Sequence, residues 1–111
     1  MALFGSSSLR SEQLKAMAPQ LIADVTFYPT ASGGRKSAAP PGWGCPCCVS
    51  KDTPIVGYDG WPLLGDTSFL PGETRQLGFV FLSREEPVAL FRKSGIFYLW
   101  DGAFIGEARV I

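Results

Sequence analysis

The sequence predicts an all-β domain, an antiparallel sandwich or barrel, on three observations. Apolar and polar residues change places with a period of two from Leu21 to Thr30, the signature of a strand with at least one buried face. Four later runs, Gln76 to Leu82, Val88 to Arg92, Gly95 to Trp100 and Ala103 to Ile111, are short, apolar and rich in aromatics. Strong turn dipeptides lie between such runs, above all Pro71-Gly72 and Asp101-Gly102. Short strands with a turn about every ten residues belong to sandwiches and barrels. A length of 111 residues suits one domain, and a composition 46% hydrophobic and 13% aromatic is enough to fill its core.

Taken in order, residues 1–18 form a lead-in. Met1 to Ser8 is expected to be loose, and Ser8 or Ser11 to cap a short helix running to about Ala18. Pro19 stops it, because the residue before a proline is pushed out of the helical region. This lead-in is either a packing element or a helix for a partner. Residues 19–111 then make the β domain. Leu21, Ala23, Val25 and Phe27 share one face of its first strand. Residues 30–44, rich in Pro, Gly, Ser and Ala, form a long loop of the kind that often carries function. Cys45 to Ser50 and Ile55 to Tyr58 read as two short strands around a turn at Lys51-Asp52-Thr53-Pro54, and Tyr58-Asp59-Gly60-Trp61-Pro62 reads as a further turn. Asp101-Gly102 closes a final hairpin.

Charge and motifs narrow the function. Ten basic and ten acidic residues give a formal net charge of zero, a poor balance for a general nucleic-acid binder, although a local basic patch stays open. No apolar run approaches the roughly 20 residues of a membrane span, and residues 1–8 carry neither a basic region nor a signal-peptide core, so a soluble, cytoplasmic protein is expected. The chain has no histidine, no Gly-x-Ser-x-Gly and no phosphate-cradling loop ending in Gly-Lys-Ser/Thr. Its carboxylates are scattered, so no enzyme activity and no cofactor are expected.

A series of local motifs goes further. Ala23-Asp24-Val25-Thr26-Phe27-Tyr28 leads to Gly33-Gly34-Arg35-Lys36, and Gly42-Trp43, Leu70-Pro71-Gly72-Glu73 and the closing stretch from Phe97 to Val110 follow. In order and spacing these resemble the C-terminal β-barrel domain of elongation factor Tu and related translation GTPases, over about residues 19–111. The resemblance implies a small six-stranded antiparallel barrel, Greek-key-like, that binds and does not catalyse. It also implies that Arg35 lies at a surface that faces tRNA in the family. Two departures stand out. The family's Thr-Pro after the Gly-Gly-Arg turn is Ser37-Ala38-Ala39 here, and its Arg-Pro after the Gly-aromatic pair is Gly44-Cys45. With no nucleotide-binding motif in the chain, the expectation is a relative of the barrel put to a use other than delivering aminoacyl-tRNA.

The candidate partner-binding or RNA-binding residues are Gly33, Gly34, Arg35, Lys36, Trp43 and Trp61. Two glycines allow close backbone approach, and the cations after them either meet phosphates or simply solvate a turn. Trp43 and Trp61 adjoin Gly and Pro and are expected to be exposed in loops, as part of an interaction surface. Cys45, Cys47 and Cys48 contain a Cys-x-x-Cys pair that can ligate metal or exchange disulfides. A zinc site needs a fourth ligand this group does not supply, and a redox pair usually begins a helix, so small packing residues are the competing reading. A protein partner is expected, with RNA as the alternative.

Overall fold

The computed structural model describes residues 7–111, with side chains from Arg10 onward. Helix α1 (Ser7–Lys15) precedes strand β1 (Leu21–Phe27), followed by β2 (Cys45–Cys48), β3 (Tyr58–Pro62), β4 (Thr74–Phe81), helix α2 (Glu85–Ser94), β5 (Ile96–Trp100) and β6 (Phe104–Val110). The strands close into a barrel in the order β1-β4-β3-β2-β5-β6, with β6 returning to β1. Every pairing is antiparallel. β1 and β2 are not neighbours, so the 28–44 loop carries the chain between non-adjacent strands and gives the Greek-key character.

The alternation in β1 has the expected result: Leu21, Ala23, Val25 and Phe27 are buried, while Ile22 and Asp24 face out. They meet a core built on phenylalanine. Phe27, Phe69, Phe79, Phe81, Phe91 and Phe97 are all essentially inaccessible to solvent. Each contributes about 1.5–3 kcal/mol by leaving water. Their contacts are mostly edge-to-face or stacked, such as Phe79 on Phe97 at 5.2 Å and 82° and Phe91 on Phe97 at 4.4 Å and 18°. The Pro71-Gly72 turn forms as expected, with Gly72 at φ 83° and the Glu73 N–H donating to the Leu70 carbonyl. The last hairpin turns at Asp101-Gly102, with an irregularity at Leu99/Trp100.

Several sequence expectations need correction. Val88 to Arg92 is not a strand but the body of α2. Glu85 and Glu86 sit in its first turn and Arg92 and Lys93 in its last, which complements the helix dipole. Gly95 ends it in the left-handed region at φ 78°, its N–H bonding the Phe91 carbonyl. Pro87 falls in the first turn, where its missing N–H costs nothing. What reads as an apolar strand is one helical face that sends Phe91 into the core.

Ile55 to Tyr58 is not a strand, and Tyr58 to Pro62 is not a turn: the strand begins at Tyr58. Gly60 points inward, where a Cβ would lie 2.8 Å from the Phe81 ring and 3.0 Å from the Cys47 sulfur. The pairing with β2 ends at Gly60, so the missing N–H of Pro62 breaks no ladder bond on that side. Turn-like residues therefore serve a strand for steric reasons that composition does not show. β2 also ends sooner than expected, at Cys48 rather than Ser50.

The lead-in helix exists, but it begins before Ser8 and ends at Lys15, so neither Ser8 nor Ser11 is its cap. Residues 1–6 of the expected loose segment lie outside the described residues. The helix packs on the outside of the barrel. Leu14, Trp61 and Val80 form a second apolar cluster with Met17 and Leu63, and Lys15 pairs with Asp66 at 2.5 Å.

Candidate functional site

The 30–44 loop is ordered by its own backbone. Thr30–Ser32 makes one 3-10 turn, which Gly33 ends at φ 92°. Gly34 follows with its N–H on the Pro29 carbonyl, and a Cβ there would overlap the Tyr28 carbonyl oxygen. Both glycines thus answer a demand inside the chain: one for a left-handed turn, the other for close approach to the end of β1. Thr30 Oγ1 donates to the Arg35 carbonyl at 2.6 Å, and Ala39 pairs with Phe69 in an isolated bridge.

Arg35 is the hinge pin of this loop. Its guanidinium bonds the Asp101 carboxylate at 2.5 Å, donates from Nε to the Ser37 carbonyl at 3.2 Å and lies 5.0 Å from the centre of the Trp43 ring. Only 14% of its side chain is exposed, against 49% for Asp101. Trp43 in turn stands edge-on to Phe27 at 5.6 Å. A continuous stack therefore runs from the core through Trp43 to Arg35 and on to the β5–β6 turn. Lys36 is exposed beside it. Gly33, Gly34, Arg35, Lys36, Ser37, Asp101, Ala103 and Ile105 line a surface recess of about 280 Å³.

The structure thus brings five of the six predicted contact residues to one region and excludes the sixth. Trp61 is only 5% exposed. Its ring lies against Gly44, where any Cβ would collide with it, and under Leu14 of α1. The expected loop exposure fails because Trp61 occupies an outward strand position that the helix covers. Trp43 is half-buried rather than open. Asp101, read from sequence only as part of a hairpin turn, is the missed partner. Its link to Arg35 spans 66 positions and leaves no local signal.

The thiols are all buried and free. Cys45 and Cys47 join the barrel core. Cys48 faces the other way, as period two requires, and lies under Gly57. Burial pushes the Cys47 thiol well above its ordinary range, helped by the neighbouring Cys45, and burial also raises Cys48. Both shifts oppose the thiolate that metal binding or exchange needs. Among the described residues no group of three or more His, Cys, Asp or Glu is placed to hold a metal ion.

A second cluster escaped the sequence reading. Tyr28, Tyr98 and Phe104 surround the ammonium of Lys51, whose Nζ is 5.1, 5.0 and 5.6 Å from the three ring centres. Lys51 donates to the Tyr28 hydroxyl at 3.0 Å, and that hydroxyl donates to Glu107 Oε1 at 3.2 Å. The hydrogen bond to Tyr28 raises the Lys51 pKa. No helix among the described residues is long and apolar enough to cross a membrane. No protein-family model matches this chain, and no curated protein matches it at a significant level.

Proposed function

We propose that this protein is a non-catalytic binding module, similar to the C-terminal barrel of elongation factor Tu, and that its partner is another protein. The observation that carries this reading is the clamping of Arg35 between the Trp43 ring and the Asp101 carboxylate. A loop fixed in this way loses little conformational freedom on association. Its exposed rim is built around Arg35 and the half-buried Trp43, residue types that often dominate protein interfaces. The recess of about 280 Å³ beside it is sized for one or two side chains of a partner, at the lower limit of small-molecule sites.

The RNA reading draws less support. The Arg35 charge is already matched by a carboxylate, which would repel a phosphate at the same place. Lys36 alone is a weak electrostatic anchor. The redox or metal reading is opposed by the burial of all three thiols.

The test is affinity capture from the host's own lysate, with and without RNase, using the native sequence and Arg35→Ala. A protein retained after RNase and lost with Arg35→Ala supports the proposal. Retention of RNA alone, or of proteins that leave with it, overturns it in favour of the nucleic-acid reading.

A further inference from the structure

The outward face of β5 and β6 is aromatic where a solvated barrel surface is normally polar. Tyr98 and Phe104 are half-buried there, Tyr28 adjoins them just beyond the end of β1, and Trp100 stands edge-on to Phe104 at 5.0 Å. Tyr98 and Phe104 are themselves edge-on, at 6.2 Å and 78°. Rings set at steep angles around one point present several negative π-faces to it, the geometry by which proteins receive ammonium groups. A cation is already at that point, since Lys51 Nζ lies between 5.0 and 5.6 Å from three ring centres. Glu107, opposite Tyr98 in the strand register and bonded through the Tyr28 hydroxyl, supplies the balancing negative charge. Arg109 contacts the other oxygen of Glu107 at 3.4 Å and is the further charged group on this face.

Lys51 belongs to neither wall of the cage. It stands in the segment between β2 and β3, outside regular structure, and the side chains around it in that segment are largely exposed. Its seat is made by a hydrogen bond, ring contacts and the charge of Glu107. We propose that Tyr28, Tyr98 and Phe104 form a receptor for an alkylammonium group, and that Lys51 is an in-chain occupant that vacates the cage when such a ligand binds. A quaternary ammonium is the favoured class. It keeps the full charge, gives up less hydration than a primary ammonium and fills the space between the rings with methyl groups. In-chain occupancy lowers the apparent affinity by the fraction of molecules in which the cage is vacant. The inference is independent of the Arg35 recess, which uses the turn of the same hairpin and not its outer face.

The test is a titration of the whole chain and of Lys51→Ala and Lys51→Met with tetramethylammonium, followed by Trp100 fluorescence and by the ring proton resonances of Tyr28, Tyr98 and Phe104. Both variants should bind at least about tenfold more tightly than the native chain, because the competing occupant is gone. Adding Tyr98→Ala to either should abolish the gain. The neutral isostere of choline, 3,3-dimethylbutanol, should bind none of them comparably to choline itself. Choline and a trimethyllysine peptide, titrated in parallel, distinguish a small-molecule quaternary ammonium from a modified side chain as the source of the group. The proposal is overturned if folded Lys51 variants bind tetramethylammonium no better than the native chain, which would make Lys51 a loop anchor only. It is equally overturned if the neutral isostere binds as well as the cation.

Discussion

A thiol attacks only as its thiolate, and burial works against that ionisation at Cys47 and Cys48. A thiol-specific reagent should therefore find essentially none of the three cysteines in the native protein and all three in denaturant. Rapid labelling under native conditions would contradict the packing described. Glu73 shifts the other way. The Leu70 N–H, then Arg75, hold its carboxyl below the usual range. A folded pKa below the unfolded one gives stability that is present above the unfolded value and lost as pH falls through the folded value. Melting temperatures of the native chain and Glu73→Gln should therefore differ at neutral pH and converge in acid, below the ordinary carboxylate range. A constant gap across pH would deny Glu73 this role. Among single residues, the sequence made Arg35 and Trp43 visible because Gly-Gly and Gly-Trp mark a loop. It did not reveal Asp101 or Lys51, whose partners lie far along the chain.

At the scale of elements, α2 shows where periodicity misleads. Five apolar-rich residues are too few to separate a strand from one side of a short helix. The deciding signals were the charges at its two ends and Gly95 beyond them. β1 was legible because its alternation lasts for seven residues with one face wholly buried. α2 matters to the core through Phe91, which touches Phe81, Phe97 and Tyr58. Phe91→Ala should cost about 3–5 kcal/mol in urea denaturation. A loss below about 1 kcal/mol would show that the helix is not part of the cooperative core. In the 30–44 loop, Gly34→Ala must displace the backbone at Tyr28. We expect a cost of roughly 2 kcal/mol or more, with the Arg35–Asp101 pair disturbed at the same time.

At the scale of the molecule, the barrel is complete without α1, since all six strands lie within 21–110. Removing residues 1–17 should leave a folded barrel whose Trp61 emission moves to longer wavelength as its cover of Leu14 and Met17 is lost. Unchanged emission would mean that the helix does not shield this ring. The spacing of strands and turns narrowed the fold to an antiparallel sandwich or barrel, and the order of the motifs, through the resemblance they carry, to a six-stranded barrel. The individual pairs of its seam, such as Val25 with Ala108, were not legible, because no local pattern encodes them.

That seam between the first strand and the last has a consequence on the ribosome. Synthesis runs at about 5–20 residues per second, so after Val25 is made the cell takes roughly 4–17 seconds to deliver its partner Ala108. Throughout that interval one edge of β1 has no strand to pair with, and the apolar row from Leu21 to Phe27 waits for the wall that will cover it. We expect nascent chains to keep this apolar row open to extended-chain-binding chaperones until β6 can pair with β1.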